Sequence, residues 1–165
     1  AEAPRHEPAP LLGKLNDEVR QEVGGTGMFI TAATFRLEPD TGRVSFSSAG
    51  HNPVLLHRAD TGVFEELDSS GPPLGFIPGV EYEPNSRELR SGDVLFLYTD
   101  GVTEATPEDS GEMYGEERVQ AALRELAGRP ADEILAGILE RLNAFSGRER
   151  YEDDGTHCKP PRVRR

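Results

Sequence analysis

The sequence predicts an α+β domain in which helices pack on antiparallel hairpins. Three observations carry that prediction. Two turn signals, PDTG at residues 39–42 and ADTG at 59–62, each separate short runs dense in β-branched and aromatic residues, which is hairpin chemistry. Toward both ends of the chain, apolar residues recur instead at helical spacing. The 165 residues suffice for one domain of ordinary size and are too few for two comfortable ones.

Residues 1–10, AEAPRHEPAP, carry Ala, Pro and charge without periodicity and read as a linker or a cut end. Leu11, Leu12, Leu15, Val19 and Val23 share one helical face, and Gly24, Gly25 and Gly27 stop that helix. The GGTG fragment follows a helix instead of opening one, so it is not a phosphate loop. A first hairpin pairs residues 28–37 with 43–49, and a second pairs 53–58 with 63–67. Shorter strands are expected around 80–83 and 87–89. The run VLFLYTD at 94–100 is apolar almost throughout and reads as a central strand buried on both sides. Val119, Ala122, Leu123 and Leu126 then share a helical face, with Gly128 as its C′ residue, and Pro130 opens a last helix. Its stripe is Ile134, Leu135, Ile138, Leu139, Leu142 and Phe145, ending at Gly147. Residues 157–165, with Lys159, Arg162, Arg164, Arg165 and no acid, read as a solvated basic tail.

Composition narrows the function. Eighteen basic against thirty acidic side chains give a formal net charge of −12, which opposes nucleic-acid binding and suits a protein whose carboxylates await a cation. One cysteine, Cys158, leaves no internal disulfide and no multi-cysteine metal site. With no apolar run of spanning length and no signal-peptide pattern, a soluble, cytoplasmic protein without membrane contact is the expectation.

The strongest chemical signal is YTDGVTEA at residues 98–105. There an apolar strand ends in Asp100, and Gly101 permits a sharp turn, so a carboxylate projects from a rigid element into a rim. A Thr-Asp-Gly turn satisfied by its own backbone is an equal alternative on spacing alone. Asp153 and Asp154 repel each other unless they are exposed or share a cation, and an acidic surface turn is the simpler reading. The acids from Glu104 to Glu117 fail the calcium-loop template and read as a solvated flap running into a helix start. In AGHNP, His51 and Asn52 follow a small-residue turn, and His51 serves as acid, base, ligand or corner-fixing hydrogen-bond donor. His57 has no visible partner, and His157-Cys158 is an isolated pair. No G-x-S-x-G elbow exists, so a serine hydrolase is unsupported.

In this order and separation, LNDEV, the block from residue 28 to 58 ending in AGHNPVLLHR, GPPLG, LRSGDVLFLYTDGVTEA, GEMYGEERV and DDGT resemble the SpoIIE-type branch of the PP2C-like (PPM) serine/threonine phosphatases. The likeness runs from Leu11 to Thr156, so residues 11–156 are expected to form the C-terminal portion of such a domain. It implies a β-sandwich flanked by helices with Mn²⁺ or Mg²⁺ held by aspartates at one end. It assigns Asp100 and Asp153 as metal ligands, with Asp154, Gly101, His51 and Asn52 in support. It further implies hydrolysis of a phosphoserine or phosphothreonine on an anti-anti-sigma-type protein, by a water activated between two cations, and a possible upstream sensor domain. Two cations about 3.5–4 Å apart reverse the repulsion between carboxylates and a phosphate dianion, and hard cations call for oxygen ligands and not thiolate.

Two departures stand out. The GGDxxD-like and GHG motifs that precede the matched region in the family are absent, and DDGTHCKPPRVRR replaces the final hydrophobic strand. The domain is therefore expected to be incomplete at its start, altered at its last strand and marginally stable. The leading function is a metal-dependent protein phosphatase. The alternatives are a non-catalytic module that binds a sigma-regulating partner and, last, an unrelated acidic calcium-binding domain.

Overall fold

The computed structural model describes residues 7–147. In chain order the elements are α1 (Pro8–Val23), β1 (Ala32–Glu38), β2 (Arg43–Ala49), β3 (Val54–His57), β4 (Phe64–Leu67), β5 (Asn85–Glu88), β6 (Val94–Phe96), α2 (Asp100–Thr103), α3 (Gly115–Leu126) and α4 (Ala131–Ser146). They form two three-stranded antiparallel sheets, ordered β1-β2-β5 and β4-β3-β6.

Strand alternation sets the layers. Phe46 of β2, Val54 and Leu56 of β3 and Leu67 of β4 bury one face of each sheet against the other, with Phe35, Leu89 and Leu95 filling in. On the outer face of the first sheet, Ala49 meets Leu12, Leu15 and Val19 of α1. On the outer face of the second, Leu55, Val94 and Phe96 meet Val119, Leu123, Ile134, Ile138 and Leu142 of α3 and α4. The result is a helix–sheet–sheet–helix sandwich. Each fully buried leucine contributes about 2 kcal/mol from apolar burial, and Leu12, Leu55, Leu56, Leu123 and Leu142 are among them.

Several elements match the sequence reading. β2 spans the seven expected residues, and the four apolar positions of α3 are all buried. Gly128 and Gly147 take left-handed φ just past their helices. α1 starts three residues earlier than its periodicity indicated, because Pro8 fits the first helical position, where no N–H is needed.

Other expectations are corrected. No strand forms around 80–83: Pro84 closes that stretch, Tyr82 turns inward to donate its hydroxyl to the Pro72 carbonyl (2.9 Å), and the Glu83 carbonyl accepts from the Ser47 hydroxyl (3.1 Å). The first strand begins at Ala32 and not at Met28; residues 28–31 are exposed, with a single bridge from Ile30 to Leu74. The apolar run 94–100 is not a central strand. Among the described residues β6 is three residues long, half-buried and paired to β3 alone, at an edge of its sheet, and Leu97 is exposed. Leu135 and Leu139 also face outward, leaving Ile134, Ile138, Leu142 and the partly buried Phe145 to make the α4 contact.

Candidate functional site

The antiparallel registers bring the notable motifs to one end of the sandwich. Ala32 pairs with Ala49, Val54 with Leu67, and Leu55 with Phe96. The start of β1, the β2–β3 corner containing His51 and Asn52, the segment after β4 and the segment after β6 containing Asp100 therefore share that end.

The β2–β3 corner is fixed by a dense set of bonds. Gly50 adopts φ +65°, and a Cβ there would lie 2.5 Å from the Pro73 ring, so both conformation and space exclude a side chain. The Gly50 amide donates to the Gly71 carbonyl and to the Ser69 hydroxyl (2.9 and 2.8 Å). The Ser70 hydroxyl accepts from the Ser48 amide and lies 2.8 Å from that of Ser47. Ile30 and Leu74 exchange both backbone bonds. From below, Asn16 of α1, completely buried, accepts from the Gly75 amide and donates to the Ile77 carbonyl, both at 2.9 Å. The LNDEV and GPPLG motifs thus lock each other, and GPPLG locks AGHNP. Sequence reasoning missed Asn16 as a site-building residue. The available signal was a polar residue four positions after Leu12 and three before Val19, on the apolar face of an amphipathic helix.

The Asp100 side is built differently. The expectation of a carboxylate closing a buried strand is corrected: Tyr98 is buried, but Asp100 is exposed and opens the one-turn helix α2. Gly101 is helical, not a left-handed turn residue, because the backbone needs no reversal there. The Asp100 carbonyl accepts from the Glu104 amide (2.7 Å) and the Thr103 hydroxyl (3.2 Å). Its carboxylate makes no hydrogen bond or ion pair among the described residues. Tyr98 anchors this side by donating to Glu116 (2.5 Å). Burial first, and then that carboxylate, push the Tyr98 phenol well above its usual range.

His51 is half-buried, and its Nδ1 is enclosed without a hydrogen-bond partner. Asn52 lies beside it at the same corner. His57 belongs elsewhere. It packs against Phe64 (4.8 Å between rings) on the helix-facing side of β3, where burial, then Arg124, hold its pKa below 6.5 and keep it neutral. Asp153 and Asp154, the other expected carboxylates, lie outside the described residues. No group of three or more potential metal-ligating side chains occurs among the described residues. An exposed carboxylate at Asp100, without a partner among the described residues, nonetheless has the oxygen-donor chemistry that suits a hard divalent cation.

Asp93, at the opposite end of β6, is structural. Its carboxylate is 2% exposed and receives Arg58 (2.8 Å) and the amides of Ala59 and Arg90 (3.0 and 3.1 Å). Arg58 also donates to Glu65 (2.6 Å), which takes Arg87 of the other sheet (3.0 Å). Burial raises the Asp93 pKa, but the two amides and the guanidinium outweigh it and hold the group below its usual range.

Comparison with known proteins places these features. The family model for stage II sporulation protein E (SpoIIE) matches residues 1–159. Phosphoserine phosphatase RsbU of Bacillus subtilis is 27% identical over 146 residues, covering 88% of this chain and 43% of RsbU. The SiaA-PP2C domain of Pseudomonas aeruginosa superposes with a TM-score of 0.74 at 20% identity, covering 90% of this chain and 58% of that one. The manganese-presoaked phosphatase domain of SpoIIE from Bacillus subtilis gives 0.57 at 18% identity, covering 98% and 79%. The chain spans less than half the length of the curated relatives it matches. Among the described residues, no helix is long and apolar enough to cross a membrane. The chain belongs to the SpoIIE family and carries the fold of a PP2C-like phosphatase domain.

Proposed function

We propose that this chain supplies part of a PPM-type protein serine/threonine phosphatase, in which Asp100 and Asp153 hold a divalent cation, Mn²⁺ or Mg²⁺, with Asp154 adjacent. The observation that carries this reading is the exposed Asp100 carboxylate, without a bond among the described residues, at the same end of the sandwich as the rigid His51–Asn52 corner. The cation offsets the charge of a phosphate dianion and lowers the pKa of water.

The chain's own residues divide the remaining work. The Tyr98–Glu116 bond and the helical turn at Asp100–Thr103 hold the ligand-bearing segment. The Ser69, Ser70 and Gly71 contacts fix the facing corner. His51, half-buried at that corner, supports it next to Asn52. The similarity to a phosphoserine phosphatase supports a phosphoserine as the substrate group; its placement on an anti-anti-sigma-type protein, and phosphothreonine as the alternative, follow from the motif resemblance.

The test uses the full-length protein with a serine-phosphorylated protein substrate and Mn²⁺. Asp100→Asn is expected to abolish phosphate release. Unchanged turnover in that variant rejects the assignment. A second reading is a non-catalytic module that binds a sigma-regulating partner, raised by the GGDxxD-like and GHG motifs that the sequence lacks. Metal-dependent turnover of an aryl phosphate by this chain alone would exclude it.

A further inference from the structure

We propose that His57 is an acid-operated release for the last turn of α3: a buried neutral imidazole beside that turn, whose protonation lifts Leu123–Leu126 off the second sheet while the rest of the fold holds. The device is independent of the phosphatase reading.

The geometry leaves no accommodation for a charged ring. His57 ends β3 and is 4% exposed. Its register partners are Phe64 of β4 and Val94 of β6, and its ring lies 4.8 Å from that of Phe64. From α3, the Arg124 guanidinium covers the Phe64 ring at 4.9 Å. Phe64 and Val94 pack in turn against the cluster that holds Leu123, Leu126, Ile134 and Ile138. His57 Nδ1 is enclosed and has no hydrogen-bond partner among the described residues. A neutral imidazole leaves one weak group unsatisfied there, whereas the imidazolium carries two N–H donors and a charge into an apolar layer.

The surrounding charges do not compensate. Arg124 faces the ring from α3 with the same sign. Asp93 acts on it from the turn entering β6, but that carboxylate is already taken by Arg58 and by the amides of Ala59 and Arg90. On β4, Glu66 shares the face of Phe64 but lies further along, toward Tyr98, and Glu65 is on the opposite face with Arg58 and Arg87. Helix α4 brings the apolar Ile134 and Ile138 to this layer. Burial and then Arg124 disfavour the cation, and the attraction of Asp93 is smaller.

Relief therefore comes from water, and the helix is the cover that yields. Backbone ladders tie β3 to β4 and β6, whereas α3 meets the sheet through side chains. Arg124 is exposed and lies in the final turn of α3, whose carbonyls lack helical partners. Local opening follows the fewest buried contacts, and this turn is held by Leu123 and Leu126. The opened state restores an ordinary imidazole, so opening gains as pH falls below 6.5 and stops gaining at the lower pKa of the closed state. One proton sets the steepness, at most about tenfold per pH unit.

Hydrogen exchange of the full chain between pH 7 and 5, resolved by NMR and corrected for intrinsic rates, tests the release. The amides of Leu123–Leu126 are expected to lose protection by several-fold to tenfold per pH unit below 6.5, while those of β1 and β2 keep theirs. His57→Leu and His57→Gln, neutral at every pH, should both remove the pH dependence; either one that folds suffices. Protection in the parent that does not change with pH overturns the proposal. So does an equal loss in the non-titrating variants, a loss shared by β1 and β2, or a His57 ring that titrates at its ordinary value in the parent.

Discussion

The two halves of the candidate site contrast sharply. At the β2–β3 corner, Gly50, Ser48, Ser69, Ser70, Gly71 and Asn16 form a nearly closed set of short hydrogen bonds around residues with no room to move. At the Asp100 side, one helical turn follows a three-residue edge strand, and the carboxylate makes no bond among the described residues. The first half specifies its own geometry, whereas the second presents an exposed carboxylate and depends on what meets it. Substitutions should therefore damage folding at the corner and metal binding at the aspartate.

The largest expected effect is at the corner. Gly50→Ala forces a Cβ into the Pro73 ring at a left-handed φ, a combination costing about 3 kcal/mol. Chemical denaturation is the measure, and a loss below 1 kcal/mol would show that the corner yields.

Next comes Asp93→Asn, which leaves Arg58 short of its buried partner at about 3 kcal/mol or somewhat less. It also tests acid sensitivity. Asp93 and Glu65 have folded pKa values below 3.8 and 4.5 respectively, so their stabilisation is present above those values and is lost as pH falls through the folded ones. His57 is also depressed, from 6.5, so its contribution is full above that value and declines as acidification proceeds below it. Stability should fall in two stages between pH 7 and 2. His57→Leu should flatten the first stage, and Asp93→Asn should shrink the second. A pH profile identical to the parent in both variants would contradict this.

Asn16→Ala removes two buried bonds and strands the Gly75 amide, for about 2 kcal/mol. Hydrogen exchange should speed at Gly75 and Ile77 while α3 and α4 stay protected; a uniform change would mean that Asn16 does not act on that loop. The smallest stability effect is expected for Asp100→Asn, within about 0.5 kcal/mol, because the group is exposed and makes no bond among the described residues.

The same contrast explains what was legible in the sequence. Local signals carried the hairpins: β-branched runs around two D-T-G turns fixed β1–β2 and β3–β4, and helical periodicity fixed α3. The corner could be found as a motif, AGHNP, but not as a network, because its partners Ser69–Gly71, and Asn16 that holds Gly75 behind them, are remote in sequence. Around 80–83, Tyr82 looked like strand and became a buried plug, since a hydroxyl can reach Pro72 only through the tertiary fold. The run 94–100 read as central because hydropathy reports burial in the preferred environment of those side chains, whereas β6 has one strand neighbour among the described residues. Asp100 was recognised by its motif, although its local setting, a helix start, was not.

The central claim is that Asp100 and Asp153 hold one divalent cation. Mn²⁺ titration followed by electron paramagnetic resonance, on the parent chain and on Asp100→Asn and Asp153→Asn, tests it directly. The account predicts saturable binding by the parent and at least tenfold weaker binding in each variant with the fold retained. Absence of Mn²⁺ binding by the parent, or equal affinity in all three proteins, would contradict it.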